Sequence, residues 1–139
     1  MTIEHQATAA NPDISAPRGE LALKTLAMPA DANPAGDIFG GWLMSQMDIA
    51  GGIAAYARAH GRVSTVAVNG FTFHKPVLIG DVLSCYVEIL KTGNTSITAR
   101  VEAWVLRRET TRQQMKVTEG TFTFVALHKD GSKRSVPPA

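Results

Sequence analysis

The chain has 139 residues, of which 45% are hydrophobic and 19% are charged. That size fits one compact domain, and that apolar share excludes wholesale disorder. Lys and Arg number 14 against 12 Asp and Glu, so the net charge of +2 is too small for a general nucleic-acid binder. The charge is uneven, since residues 107–134 hold seven basic and three acidic side chains. This basic third is compatible with an anionic small ligand and equally with a solvated surface.

Cysteine usage and targeting signals give mostly negative information. Cys85 is the only cysteine, which excludes an intrachain disulfide and a cysteine-based zinc site. Its apolar, strand-like surroundings predict a buried thiol rather than a nucleophile. No apolar run approaches the ~18 residues needed to span a bilayer, and the first residues lack the regions of a secretory signal. We therefore expect a cytoplasmic protein with no membrane partner.

Composition divides the chain into three segments. Residues 1–19 predict a flexible N-terminal arm, residues 20–128 a single folded domain, and residues 129–139 a C-terminal tail whose last residues fray. The domain opens with an alternating strand from Glu20 to Met28, which Pro29 and the turn residues after it interrupt.

One long helix is predicted from about Gly40 to His60. Its apolar residues are spaced 4, 3, 4 and 3 apart, which draws one stripe down a helix. Basic residues occupy the last turn, and Gly61 is expected to end the helix. Gly51 and Gly52 each disfavour a helix, so they predict a close approach by another backbone. The stripe consists of Leu43, Met47, Ala50, Ala54 and Ala57.

After Gly61 the hydrophobic period changes to two, which is typical of strands. Four strands are predicted, with a turn at Lys91–Ser96, a polar connection over residues 107–114 and a bulge at Gly120. One long helix and about five antiparallel strands make an α+β domain. The four strands cover residues 63–73, 82–90, 97–105 and 115–127.

The densest candidate for chemistry is the stretch Asn33–Trp42, where Asp37 stands just before a helix that opens with Gly40 and Gly41. The start of a helix presents unpaired N–H groups and a partial positive charge, which stabilise an anion or a developing oxyanion. Paired glycines let a substrate approach the main chain closely. The simpler interpretation is that Asp37 only caps the helix or stabilises its first turn.

Six motifs together resemble one known family, the hotdog-fold acyl-CoA thioesterases of the YciA-like branch. The resemblance extends from about Leu26 to Leu127, and the glycine motif is its most specific part. The motifs are Leu26–Asp31, Asn33–Trp42, Met44–Asp48, His60–Val63, Phe71–Val77 and Gly80–Val82.

The resemblance implies a long central helix wrapped by an antiparallel sheet. It also implies hydrolysis of an acyl-CoA substrate to a free acid and the product CoA, without a metal or a nucleotide cofactor. Family members form homodimers with active sites at the subunit junction and often assemble into hexamers as trimers of dimers. The family's catalytic aspartate is mapped onto Asp37. Asn69 stands where many relatives carry an acid.

The residues themselves also favour a carboxylate mechanism. No Gly-x-Ser-x-Gly elbow is present, and the four histidines lack metal-ligand spacing. Asp37 could deprotonate a water or attack the thioester directly, while N–H groups near Gly40 and Gly41 polarise the carbonyl. Two alternatives stay open, a non-catalytic acyl-CoA sensor and a hotdog acyl-thioester hydratase.

The turn Lys91–Ser96 is predicted to hold the CoA phosphates, because N–H groups, hydroxyls and a lysine converge there. A plain hairpin explains the same residues equally well. Asp48, about three helical turns or ~16 Å beyond Asp37, is expected to have a structural role, in which it bonds a neighbouring strand or a partner subunit. Asp81 is expected to be a turn residue. The candidate substrate-binding residues are Asn33, Phe39, Asn69, Lys75, Lys91, Thr92, Gly93, Thr95 and Ser96.

Overall fold

The computed structural model describes residues 16–107 and 113–139, so most of the predicted arm and of the predicted polar connection lie outside the described residues. One helix and five strands follow in the predicted order. They are β1 (Glu20–Leu26), α1 (Gly40–Ala59), β2 (Val63–Phe73), β3 (Val82–Thr92), β4 (Ser96–Leu106) and β5 (Met115–Ala126), with a short 3-10 turn at Pro29–Asp31.

The strands form one antiparallel sheet in the order β1-β3-β4-β5-β2, and α1 packs across one face of it. The predicted α+β hotdog architecture is confirmed. In the part of the chain that the structure describes, β1 and β2 each pair with one neighbour only. Each of these two edges therefore carries backbone N–H and C=O groups that a further strand can pair with.

The inner face of the sheet is built by the alternation predicted for β4. Ile97, Val101 and Val105 are fully buried beneath the helix together with the alanines between them. The opposite parity of β4 lies on the outer face, where Glu102 and Trp104 are nevertheless buried. Both faces of the central strand are therefore covered within a single chain.

The buried line of the helix differs from the predicted stripe. Ala57 is exposed and Ala54 is half-buried, while Ala55 and Ala59 are fully buried in their place. The line Leu43, Met47, Gly51, Ala55 and Ala59 advances four residues at a time. Four residues turn a helix by about 400°, so this line slants around the axis and follows the twist of the sheet beneath it.

Two further details of the helix differ from expectation: the residue at which it ends and the group that packs against Gly51. It stops at Ala59, and His60 takes the left-handed conformation (φ 57°) that was expected of Gly61. The neighbour at Gly51 is a ring rather than a backbone. A Cβ there would lie 2.9 Å from Cζ of Phe124, so glycine is needed to admit that aromatic side chain from β5.

The bulge predicted at Gly120 on β5 is found instead on the neighbouring strand β2. The register between β2 and β5 shifts between Asn69 and Thr72, where Gly70 has φ 60°, as in bulges that place glycine in the left-handed region. Gly120 lies opposite this bulge, and a Cβ on it would be 3.1 Å from the ring of Phe71. Its role is therefore to make room for that ring.

The C-terminal segment is ordered against the domain, so the prediction that it frays is wrong. The N–H of Val136 donates to the carbonyl of Asn94 at 2.8 Å, and Arg58 Nη1 donates to the carbonyl of Pro137 at 2.6 Å. The chain reaches this position because it reverses direction at Gly131, which has φ 92°. The tail thus joins the β3–β4 turn to the last turn of α1.

Candidate active site

The start of α1 has no side-chain cap. Phe39 occupies the N-cap position without a capping hydrogen bond, so Asp37 is not the cap that the simpler interpretation required. The N–H groups of Gly40 and Gly41 have no acceptor among the described residues. Donors at the positive end of the helix dipole therefore remain open to a ligand.

Asn33 organises the loop that carries Asp37. Its Oδ1 accepts hydrogen bonds from the N–H groups of Asp37 (3.2 Å) and Ala35 (2.9 Å), and its own N–H donates to the carbonyl of Asp37 (2.7 Å). Gly36 supplies the positive φ of 98° that this tight loop requires. The motif Asn33–Asp37 is thus a folded loop, and its conformation depends on the asparagine.

A second loop supports the first from behind. The N–H of Ile38 donates to the carbonyl of Val77 at 3.0 Å, and Asp37 forms a single bridge with Leu78. The carboxylate of Asp81 holds this second loop by accepting the N–H of Leu78 at 2.9 Å. Asp81 therefore supports the site although it does not line it.

Asp81 is more than the turn residue that was predicted. It is only 2% exposed, and Arg107 clamps it with Nε at 3.1 Å from Oδ1 and Nη2 at 2.9 Å from Oδ2. This pairing raises the pKa of Arg107. The pairing of Arg107 with Asp81 was not predicted from the sequence. The register of the β3–β4 hairpin, in which Val82 pairs with Leu106, would have placed the two side chains together.

A cavity of about 430 Å³ opens at this point between the helix start, the Asn33 loop and the end of β2. It brings together four residues predicted from the sequence, Asn33, Asp37, Gly40 and Lys75. Phe73 forms an apolar wall and is 53% exposed. The cavity thus combines open helix N–H groups with a carboxylate, a cation and an aromatic surface.

Three other predicted residues do not line this cavity. Phe39 and Gly41 are exposed at the helix start, and Asn69 is exposed on β2 just before the bulge. The carboxylate of Asp37 is itself exposed and makes no hydrogen bond within the described residues. Its loop fixes the backbone of Asp37, whereas no hydrogen bond among the described residues orients its side chain.

Asp48 is oriented more firmly. It is half-buried on the flank of α1, and Thr65 Oγ1 on β2 donates a hydrogen bond to its Oδ1 at 2.6 Å. The expected bond to a neighbouring strand is confirmed. Because β2 is an edge strand, the Asp48–Thr65 pair lies next to the unpaired margin of the sheet.

The predicted phosphate turn lies at the other end of the molecule. It is a tight hairpin closed by the N–H of Gly93 on the carbonyl of Ser96 at 2.8 Å, with Lys91 and Thr92 in β3 and Thr95 between the strands. The eleven residues of β3 span roughly 33 Å at 3.3 Å each, and Asp81 adjoins the opposite end. One chain therefore does not bring this turn together with Asp37.

Other chemistries find no support in the described residues. Burial raises the pKa of the Cys85 thiol to about 12, which keeps it protonated and unreactive. No group of three or more His, Cys, Asp or Glu side chains there could hold a metal ion. None of the helices in this part of the chain is long and apolar enough to cross a membrane.

Comparison with known proteins identifies the family. The thioesterase superfamily matches residues 35–112. The acyl-CoA thioester hydrolase YciA of Salmonella typhimurium is 55% identical over 123 residues, which are 87% of this chain and 92% of that protein. A hexameric broad specificity acyl-coenzyme A thioesterase, solved as an aspartate-to-alanine mutant, is 50% identical with a TM-score of 0.84, covering 86% of this chain and 88% of that one.

A more distant structure adds ligands and mutants. The acyl-CoA hydrolase of Staphylococcus aureus, solved with butyryl coenzyme A and CoA, is 27% identical with a TM-score of 0.76, covering 83% of this chain and 70% of that one. It was also solved as an asparagine-to-alanine and as a threonine-to-alanine mutant. The chain described here belongs to the thioesterase superfamily and, within it, to the hotdog-fold acyl-CoA thioesterases of the YciA-like branch.

Proposed function

We propose that the protein hydrolyses acyl-CoA thioesters to a carboxylic acid and CoA. The observation that carries this proposal is the uncapped start of α1, where the N–H groups of Gly40 and Gly41 open beside a cavity that contains a carboxylate. A thioester carbonyl polarised by these donors develops its negative charge where the helix dipole stabilises it. The names of the relatives support the same substrate class.

The reaction needs a base for the attacking water. The base removes a proton while the water oxygen bonds to the carbonyl carbon, and the resulting oxyanion lies at the helix start. Collapse of this intermediate breaks the C–S bond and releases the CoA thiolate, which takes up the proton. Thiolates are good leaving groups, so no separate general acid is required.

Two carboxylates can serve as that base. Asp37, the residue expected from the sequence, lines the cavity, but no hydrogen bond orients its exposed side chain. Asp48 does not line the cavity of its own chain, so it would have to act on the cavity of a paired copy, but its side chain is oriented by the hydroxyl of Thr65 at 2.6 Å. A general base must be held in position, which favours Asp48.

The mutants of the Staphylococcus aureus enzyme give independent support for Asp48. The asparagine and the threonine replaced in that enzyme are 32 residues apart, the same separation as Asn33 and Thr65 here. Asn33 belongs to the cavity, and Thr65 holds Asp48. We therefore propose Asp48 as the base and retain Asp37 as its rival.

A second copy of the chain completes the site in this proposal. The unpaired edge of β2 exposes Val66 (57%) and Phe73, a surface that an antiparallel β2 strand of another copy would cover. Such pairing brings the Val63 end of one β2 beside the Phe73 end of the other. It thereby places the Lys91–Ser96 turn of one copy on the side of the other copy's cavity, within reach of an extended CoA.

Three variants test these roles, Asn33→Ala, Asp37→Asn and Asp48→Asn, with release of free thiol from short, medium and long acyl-CoAs as the measurement. Asp48→Asn should lose most of the turnover. Co-expression of Asn33→Ala with Asp48→Asn should restore about one quarter of the native sites if the two residues meet across a dimer. Binding of acyl-CoA without thiol release by the native protein would instead identify a sensor.

The active assembly is at least a homodimer, and a trimer of dimers agrees with the hexameric state of the solved relative. Sedimentation at the assay concentration measures the assembly directly. A fully active monomer would exclude a site shared between copies.

A further inference from the structure

A second polar cavity, of about 410 Å³, lies at the opposite end of α1. It is enclosed by the residues that follow the helix and by the chain reversal after β5. Its lining contains no acidic side chain among the described residues, and its basic side chains are His60, Arg62, His128, Lys129 and Arg134. Nothing in the proposed hydrolysis uses these side chains.

The two arginines of this cavity are held by neutral groups. Arg62 Nη1 donates to the carbonyls of His128 at 3.4 Å and Lys129 at 3.0 Å, and Arg134 Nε donates to the carbonyl of Leu127 at 3.0 Å. Neither arginine forms an ion pair with a described residue. The nearby acid, Asp130, is held by the hydroxyl and N–H of the serine two residues on. The two arginines are therefore fixed in place without an anionic partner among the described residues, while Asp130 interacts electrostatically with His128.

Arg134 also keeps a donor unused. Its Nη2 atom is buried and has no hydrogen-bond partner among the described residues. Gly61 creates the space for it, because a Cβ on that residue would lie 2.8 Å from Nη2. A buried cationic donor without an acceptor is costly, and an anion in the cavity would satisfy it.

We propose that this cavity binds the 3′-phosphate of the CoA whose thioester lies in the cavity of the paired copy. This proposal rests on the proposed function and on pairing through β2. A phosphate monoester carries close to two negative charges and three acceptor oxygens, which matches a cluster of arginines and a lysine. A pyrophosphate would be served by the donors of the adjoining turn.

The position of the cavity agrees with that assignment. Arg62 immediately precedes β2, so antiparallel pairing brings it beside the end of the other β2, where Phe73 lines the thioester cavity. The Lys91–Ser96 turn adjoins the cavity, since the carbonyl of Thr95 accepts the N–H of Ala126 and Ala126 in turn accepts the N–H of Arg134. The turn and the basic cavity therefore form one continuous anion-binding end.

The test compares an acyl-CoA with the matching acyl-dephospho-CoA, which lacks the 3′-phosphate. In Arg62→Ala and Lys129→Ala, KM for the acyl-CoA should rise about tenfold with little change in kcat, since a lost hydrogen bond to a charged group has that magnitude. KM for the dephospho substrate should not change. Lys24→Ala, which removes an exposed cation from β1, is the matched control and should affect neither substrate.

Calorimetry with adenosine 3′,5′-bisphosphate and AMP provides a readout that does not need turnover. The native protein should prefer the bisphosphate, and Arg62→Ala should lose that preference. Equal effects of the variants on both thioesters, or no preference for the bisphosphate, would overturn the assignment. A native protein that releases no thiol would refute the proposed function instead. The calorimetric comparison would still show whether the cavity binds a 3′-phosphate.

Discussion

Two groups of carboxylates in this molecule have opposite surroundings. Asp81 and Glu102 are almost fully buried, and each is matched by an arginine. Asp37 and Asp48 lie at the margin of the domain and have no cation partner among the described residues. Removing the counter-charge of a buried acid is strongly destabilising, whereas an acid at the margin without a cation partner is open to a substrate.

In the buried group, Asp81 and Glu102, both carboxylate oxygens of Glu102 accept hydrogen bonds. Trp104 Nε1 donates to its Oε1 at 2.9 Å, and Arg18 Nε donates to its Oε2 at 2.6 Å. Burial by itself raises the pKa of Glu102, but the hydrogen bonds from Trp104 and Arg18 outweigh burial and hold the pKa below its ordinary value. Its charge is therefore part of the folded state.

The largest effect is expected from breaking the buried pair. Arg107→Ala leaves Asp81 as an uncompensated buried charge, which costs about 3 kcal/mol or more. The midpoint of denaturant unfolding should fall accordingly, and the Val77–Leu78 loop should loosen behind the candidate active site. Asp81→Asn combined with Arg107→Ala should recover part of the loss. An unchanged midpoint in Arg107→Ala would remove Asp81 from the structural group.

Replacement of Asp37 or Asp48, the acids without a cation partner, should lower activity rather than stability. Asp48→Asn should lower kcat by about a hundredfold, the usual scale for a general base, with little change in stability. Asp37→Asn should lower it by less than about tenfold, because only the rim of the cavity changes. Thiol release by correctly folded variants measures both. The reverse order of the two losses would assign the base to Asp37.

The pH dependence of stability distinguishes the two groups further. The folded pKa of Glu102 lies below its unfolded value, so its contribution is complete above that unfolded value and is lost as the pH falls through the folded one. Glu102→Gln should cost about 1–2 kcal/mol at neutral pH. Unfolding curves of the two proteins should converge in acid. A constant difference at every pH would mean that the charge of Glu102 is not what stabilises.

The smallest effect is expected at the Lys91–Ser96 turn. An exposed lysine contributes up to about 1 kcal/mol, so Lys91→Ala should raise KM for an acyl-CoA by less than about fivefold. A pantetheine thioester, which lacks the nucleotide, should be unaffected. The difference should shrink at high salt because the contact is exposed. Equal losses on both substrates would exclude the turn from phosphate binding.

Local chemistry was enough to predict the elements. The alternation of apolar residues determined the strands and the inner face of β4, and the helix was evident from its period. The resemblance of the Asn33–Trp42 stretch to one family indicated the branch correctly. These features are recoverable because they depend on residues close together in the chain.

Only the tertiary structure decided how distant segments meet. It placed the predicted phosphate turn and the helix start at opposite ends of the domain, so one chain does not bring the two parts of the predicted site together. It paired Asp81 with Arg107 and laid the tail against Asn94. It also brought the basic residues of the second cavity together from two separate segments. Strand order and loop packing set these contacts, and the sequence pattern within one segment does not predict them.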